Sequence, residues 1–378
     1  MPDPQFESHT IVIGAGLAVG ACLKQANIPC IILEKSDRVG SAWHRHYDRL
    51  HLHTDKKNSE LPFLPYPIDY PRYPSRSQLI EYLESYVQKF RLDIRFHQEV
   101  VSARYENDQW EVQAQSSLYH ANNLVIAAGR NHEPFLPTWP GQDLFKGTIL
   151  HSSQYKNSEL FKGKKVLVVG FGNSGGEIAI DLWEHGSQVS LAVRSAVNVI
   201  PRELFGVPIL SIGILQSKLP SYIEDAINAP ILRVAIGNIT KFGLRKLPYG
   251  PITQIRRDRH IPLIDIGTMK LIKNGQVTIY DGIKEFTEEG IIFKDGKQAQ
   301  FDAVILATGY RPRVNTFLTS VSAMIYDEKG TPLSSGYETK MPGLYFCGYY
   351  VAPTGMLREI GIEAKRICIN IARTYAIS

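Results

Sequence analysis

The sequence has few cysteines, no long hydrophobic run and no block of one charge, and each lack removes a class of function. Cys22, Cys30, Cys347 and Cys368 are its only cysteines, and they form neither a CxxC pair nor a metal-ligand spacing. Dithiol redox chemistry and a bound metal are therefore not expected, and the cysteine usage suits a reducing compartment. The most apolar stretch, "LFGVPILSIGILQS", covers 14 residues (204–217) and is broken by Gly206, Pro208 and Gly213. It is too short to cross a bilayer, so membrane association is not expected. The opening "MPDPQFESHT" has neither a basic segment nor an apolar core, so no secretory leader is read there. A cytoplasmic location is the expectation. The net charge of +5 comes without a Lys/Arg run, which argues against a nucleic-acid partner.

What the chain does have is length and repetition. Its 378 residues exceed one compact core and suggest two domains. "IVIGAGLAVGACLKQANIPCIILEK" (11–35) reads as strand, glycine turn, helix and strand, and "KKVLVVGFGNSGGEIAIDLWEHGSQVSLAVR" (164–194) repeats that order. Short alternating strands follow each unit, punctuated in the second by Asn274-Gly275 and Asp295-Gly296. Each unit then closes on an apolar strand and a small-residue turn, "LVIAAGR" (124–130) and "VILATGY" (304–310). The residues after Tyr310 are too few for a third domain and are expected to complete the first. The expected fold is α/β, with two Rossmann-like dinucleotide-binding domains, the second inserted into a discontinuous first. The expected ranges are 1–160 and 306–378 for the first domain and 161–305 for the inserted one, which carries an apolar helical excursion at 203–247.

The second turn is regular. Gly170, Gly172 and Gly175 give GxGxxG: the first glycine permits the tight turn, the second lets backbone approach a pyrophosphate, and the third lets helix and strand pack closely. The helix N-terminus adds free N–H groups for the phosphates. At the end of the following strand this unit has Arg194-Ser195, whereas the first has Glu34-Lys35. A carboxylate accepts a ribose 2′-hydroxyl and an arginine pairs with a 2′-phosphate. The first site therefore suits an adenosine with free ribose hydroxyls, such as FAD, and the second suits NADPH. The first turn is also shorter: Gly14 and Glu34 are 20 positions apart, Gly170 and Arg194 24. Gly14 and Gly16 are present, but Val19 stands where the third glycine is due, and Gly20 follows. Losing three helical residues turns a helix by ~300° and shortens it by ~4.5 Å, leaving its apolar face about 60° out of register. The expectation is a shortened loop with a weaker phosphate grip and with Val19 obstructing close helix–strand packing.

"FKGTILHSSQY" (145–155) matches the FxGxxxHxxx(Y/W) fingerprint of flavin-containing monooxygenases, with Phe145, Gly147, His151 and Tyr155 in the fixed places. "LATGY" (306–310) resembles the family's later linker motif and "AAGRNHEPFLPTWPG" (127–141) its earlier one, with Ala128 where threonine is usual. Together with "VLVVGFGNSGGEIAIDL" and "VRSAVNVIPRE", the stretch from Tyr47 to Val87 is closest to the YUCCA branch and its bacterial relatives. The resemblance covers nearly the whole chain. It implies NADPH- and O2-dependent oxygenation through a flavin C4a-(hydro)peroxide, on an indole-3-pyruvate-like 2-oxo acid or a soft nitrogen or sulfur nucleophile. The chain departs from the family at its first turn, as though a Pro-small-Gly triplet after Gly16 were gone. Its C-terminal "PTGMLREIGIEA" is nearer to the bacterial relatives.

By the same resemblance, Gly14, Gly16, Glu34, Lys35, Trp43, His53 and Val100 would line FAD. Thr354, Gly355 and Met356 would open the last helix, whose N-terminal dipole faces the flavin ring. Gly170, Gly172, Asn173, Ser174, Gly175, Arg194 and Ser195 would hold NADPH. Arg202 is either a cofactor residue or a structural ion pair. His44, His46, His51 and His53 are tempting as metal ligands, but no further ligand completes a set. No side chain is assigned as acid or base, because the flavin carries the hard chemistry. The excursion at 203–247 either lines a substrate tunnel, lies on a membrane surface or makes an oligomer contact, and a homodimer is the protein partner considered. Two other readings remain open: an NADPH-dependent flavin reductase or oxidase without oxygen insertion, and a nucleotide-binding protein that has lost FAD through the short turn.

Overall fold

Ile11, Val12 and Ile13 are all buried in β1 (Gln5–Ile13), as a central parallel strand covered on both faces requires. They belong to a computed structural model that describes residues 5–115, 117–318, 325–328 and 330–376, so Met1–Pro4 of the opening stretch lie outside it. Helix α1 (Leu17–Gln25) and β2 (Cys30–Leu33) complete the first βαβ step. The short α2 (Ser41–Arg45) precedes α3 (Arg76–Phe90). A reciprocal capping box starts α3: the Ser75 hydroxyl accepts from Gln78 N–H, and the Gln78 side chain accepts from Ser75 N–H. Strands β3 (Ile94–Arg95), β4 (Val100–Glu106), β5 (Gln109–Ala114) and β6 (Ser117–Ile126) finish this part of the sheet. Its order is β3-β2-β1-β6-β5-β4.

After β7 (Glu133–Pro134) the chain enters a second sheet at β8 (Thr148–His151). There β9 (Lys165–Val169), α4 (Asn173–Glu184) and β10 (Gln188–Ala192) repeat the βαβ step. Three short strands, β11 (Val199–Pro201), β12 (Glu203–Leu204) and β13 (Val207–Pro208), lead into α5 (Ile209–Gln216), α6 (Ser221–Ala235) and α7 (Pro251–Asp258). Then come β14 (Leu263–Asp265), α8 (Thr268–Lys273) and β15 (Val277–Tyr280). The antiparallel trio β16 (Ile283–Phe286), β17 (Gly290–Phe293) and β18 (Gln298–Gln300) packs Phe286, Ile291 and Phe293 against Leu167 and Val169 of the sheet. Finally β19 (Ala303–Leu306) slots between β9 and β8, giving an all-parallel order β15-β10-β9-β19-β8.

The way back runs through β20 (Tyr310–Arg311) to β21 (Leu344–Phe346), which pairs with β6, and to α9 (Met356–Tyr375). Helices α1, α3 and α9 share one core, in which Val19, Leu23, Leu79, Tyr86, Ile367 and Ile371 meet. The fold is thus α/β with two Rossmann-like units, the second inserted into the first. The two crossings between sheets pair with each other, β7 against β20, and Arg313 forms an ion pair with Glu133 beside them. One expected boundary shifts. Residues 148–151, placed in the first domain from sequence, form the edge strand of the second sheet. A four-residue run does not disclose its sheet, which only its partner β19 settles.

The excursion at 203–247 has two sides. Leu210 and Gly213 of α5 are buried, whereas Leu215, Tyr222 and Val234 are exposed. Among the described residues, no helix is long and apolar enough to cross a membrane.

Candidate active site

Both glycine turns sit at the carboxyl ends of their central strands, where open α/β sheets bind ligands. Gly14 and Gly170 have φ of +85° and +121°, a region that side chains other than glycine rarely enter. A β-carbon on either would also strike backbone at the end of the return strand, Ala127–Ala128 in one unit and Ala307 in the other. The units diverge at the next glycines. A β-carbon on Gly172 would meet nothing within 4 Å, so this glycine faces the open cleft, where a phosphate can approach it. A β-carbon on Gly175 would lie 2.5 Å from Gly170 O and 3.5 Å from Ala307 Cβ, which makes Gly175 the packing glycine.

In the first unit that packing place belongs to Gly16. A β-carbon there would lie 2.7 Å from both Ala127 Cβ and Val12 Cγ1. Ala127 and Ala307 are equivalent, so Gly16 corresponds to Gly175, and the glycine that would correspond to Gly172 is missing with its neighbours. The expectation that Val19 occupies the third-glycine place is overturned. Val19 is fully buried in the core of α1 and obstructs nothing, because the deletion falls before it. Helix α1 therefore lacks the first turn that α4 has. The N–H groups of Gly16 and Leu17 donate back to Gly14 O and Ala15 O at 2.6 and 2.8 Å. In α4 the first helical bond runs from Gly176 N–H to Gly172 O, which leaves the N–H groups of Asn173, Ser174 and Gly175 without helical acceptors.

A single cavity of about 1940 Å³ runs along both turns. Of the residues expected at the cofactors, Gly14, Gly16, Glu34, Lys35, Trp43, His53 and Val100 line it in the first domain. Gly355 and Met356 line it at the start of α9, and Gly170, Gly172, Asn173, Ser174, Arg194 and Ser195 line it in the inserted domain. Gly175 and Thr354 do not. Gly175 is packed under its turn, and the buried Thr354 hydroxyl donates to Glu359 Oε1 at 2.5 Å.

The strand ends carry the contrast in charge. Glu34 is almost fully buried, and its Oε1 accepts from Ser36 N–H at 2.9 Å and from Ser36 Oγ at 2.7 Å, which fixes the carboxylate at the rim. Lys35 Nζ lies 3.0 Å from His132 Nε2, whose imidazole is pushed toward the neutral form by burial and by this ammonium. Arg194 is exposed beside Gly282, and Lys294 flanks the same glycine from a hairpin far along the chain. Lys294 also lines the cleft, a second cation that sequence spacing gave no means of finding. Asn173 is already partly engaged, its Oδ1 accepting from Ile264 N–H at 2.8 Å.

The histidines do not converge. His53 Nε2 is 2.8 Å from Glu177 Oε1, and Tyr47 donates to the same oxygen at 3.2 Å. This buried carboxylate on α4 ties the inserted domain to the first. His46 is pushed down to about 4 by burial and is neutral at pH 7. His51 Nδ1 is 2.8 Å from Arg49 O. Among the described residues, no group of three His, Cys, Asp or Glu is placed to hold a metal. Arg202, left open between a cofactor residue and an ion pair, instead stacks 4.2 Å above the Tyr73 ring, outside the main cleft.

Near the start of α9 the cleft is apolar. Ile209, Leu210 and Ile212 of α5 line it, and Leu210 abuts Gly355. The amides of Gln216 and Asn228 bond to each other at 2.8 Å within the same wall. Behind it, Glu363 Oε2 accepts from Gly348 N–H at 2.6 Å and from Ser335 Oγ at 2.9 Å, pinning the loop after β21. Burial pushes this carboxyl up to about 6.

The sequence pattern of the family described as Flavin-binding monooxygenase-like matches residues 8–329. An indole-3-pyruvate monooxygenase of Oryza sativa subsp. japonica, YUCCA1, is 40% identical over 349 residues, covering 90% of this chain and 86% of the relative. Among solved structures, a flavin-containing monooxygenase from Stenotrophomonas maltophilia superposes with a TM-score of 0.75 at 21% identity, over 98% of this chain and 99% of that one. Cyclohexanone monooxygenase from Rhodococcus sp. Phi1, in a structure bound to NADP+, superposes with a TM-score of 0.72 at 20% identity, over 100% of this chain and 85% of that one.

Proposed function

The chain belongs to the flavin-binding monooxygenase-like family, in its YUCCA-like branch, and is a flavin-dependent monooxygenase; from that premise we propose that it uses FAD and NADPH to oxygenate a small organic acid or nucleophile with O2. One observation carries the choice of cofactors: two βαβ turns with oppositely charged strand ends, Glu34 and Arg194, open onto one cleft. The residues fit both groups. Glu34 is held where it can accept from the ribose hydroxyls of an FAD adenosine, and an anion there would repel a 2′-phosphate. Arg194 and Lys294 supply two cations for the 2′-phosphate of NADPH, and the open face of Gly172 receives its pyrophosphate.

When bound, the flavin supplies the redox chemistry that activates dioxygen. The protein's part is placement and exclusion of water. Trp43, His53 and Met356 line the segment of the cleft assigned to the flavin ring. The N-terminus of α9 offers partial positive charge to electron density on that ring. Ile209, Leu210 and Ile212 form a dry wall over the same segment, where an aromatic substrate would lie. Indole-3-pyruvate is the first compound to try, given what the rice relative acts on, followed by simple thioethers and amines. The test is oxygen uptake by the purified protein with NADPH, with and without each compound. Uptake matched by oxygenated product supports the reading. NADPH oxidation that yields only hydrogen peroxide with every compound refutes it.

A further inference from the structure

The segment after β6 crosses the shortened turn. Ala127 and Ala128 lie against Gly14, and five residues on, His132 reaches Lys35 at the end of β2. Residues 127–132 therefore pass from β6 over the end of β1 to β2, with Arg130 midway. Arg130 is half-buried and lines the cleft. Arg259, which follows α7 in the inserted domain, does the same, and an Arg130 Nη2 donates to its carbonyl at 3.5 Å. Asp327 also lines the cleft, and its charge partly offsets the effect of Arg259 on Arg130. Burial, and after it the Arg259 charge, pushes the Arg130 pKa down. Arg130 and Arg259 outnumber Asp327 at this part of the cleft, which suits it to an anion.

The chain supplies its own control. "LVIAAGR" and "VILATGY" are equivalent strand ends, with Gly129 and Gly309 both left-handed at φ +78° and +84°. The residue equivalent to Arg130 is therefore Tyr310, in the unit whose glycine turn is complete. The cation stands only over the turn that has lost three residues and whose Gly16 and Leu17 N–H groups are engaged by its own carbonyls.

We propose that Arg130, assisted by Arg259, binds the pyrophosphate of FAD and takes over the role of the missing turn amides. The inference rests on the reading that this cleft carries FAD. A guanidinium is suited to it, because its planar fork matches two phosphate oxygens at once. It also explains how the first site can keep a dinucleotide without the second glycine of the motif.

The test is FAD release from the purified holoenzyme, followed by flavin fluorescence on dilution, for the wild type, R130Q, R130K and R259Q. Circular dichroism and thermal unfolding of the flavin-free proteins show whether each variant folds. The dissociation constant of FAD should rise at least tenfold in R130Q and less in R130K and R259Q, while that of NADP+ changes less than twofold. Inserting Gly-Pro-Ala between Ala15 and Gly16 restores a full turn, and in that background R130Q should weaken FAD at least threefold less than in the wild type. An unchanged FAD constant in folded R130Q overturns the proposal, as does a loss carried by NADP+ instead. An equal penalty in both backgrounds also overturns it, since Arg130 would then not replace the turn. A wild type that purifies without flavin and binds none would instead sink the reading of the cleft.

Discussion

Substitutions at Gly16 and Val19 separate the two accounts of the short turn. In the structure Gly16 is the close-packed residue, with φ near −74°, so alanine there meets no backbone strain. Its whole cost is steric: the new methyl would sit 2.7 Å from Val12 Cγ1 and from Ala127 Cβ, and Val12 is fully buried and has no room to retreat. Overpacking of this kind costs about 1–3 kcal/mol. Val19 is also fully buried, so Val19→Ala removes two methyl groups worth about 1.6 kcal/mol of transfer energy, plus a cavity contribution. Both variants should therefore lower the urea midpoint, and Gly16→Ala should in addition weaken FAD by moving α1 away from β1. The alternative, in which Val19 obstructs the third-glycine place, predicts the reverse for Val19→Ala: tighter FAD and no loss of stability. Tighter FAD binding by Val19→Ala together with a neutral Gly16→Ala would refute the assignment of Gly16.

Arg194→Ala should raise the KM for NADPH roughly 10- to 100-fold, from the loss of a charge-assisted hydrogen bond worth about 1.5–3 kcal/mol, and leave the KM for NADH nearly unchanged. Equal losses with both cofactors in steady-state kinetics would make Arg194 structural. Restoring the turn by inserting Gly-Pro-Ala before Gly16 should tighten FAD at least tenfold, about 1.4 kcal/mol, in a fluorescence titration; an unchanged or weaker affinity would show the short turn to be a working variant. Glu363 has a folded pKa raised to about 6, so its neutral form is favoured in the fold. Its contribution is fully present below its unfolded value and is lost as pH rises through about 6, which amounts to about 2 kcal/mol at pH 8. Glu363→Gln should therefore gain stability over the wild type between pH 5 and pH 8 in urea titrations, and a pH-independent difference would contradict this.

The repeated βαβ order, the opposite charges at Glu34 and Arg194 and the closing strands were legible because each is written in contiguous residues with a fixed period. The deletion was legible too, as a count of positions, but its location was not. Which glycine packs is decided by Ala127, more than a hundred residues away, and spacing within the turn cannot register that contact. Lys294 and Arg259 were hidden for the same reason, since each joins the cleft only through the fold of the inserted domain. Arg130 was in plain view in "AAGR", yet its meaning depends on the segment crossing over Gly14 and on Arg259, which the fold of the inserted domain brings to the same part of the cleft. Strand β8 was misplaced because four residues carry no information about which sheet will pair with them.

If this cleft joins flavin, NADPH and O2 in the oxygenation of an organic substrate, the new oxygen atom comes from dioxygen. The measurement is turnover under isotopically heavy O2, with NADPH and indole-3-pyruvate, followed by mass spectrometry of the product. One labelled oxygen atom in the product and consumption that requires NADPH are expected. Product that is unlabelled, or formed equally well without NADPH, would contradict this reading.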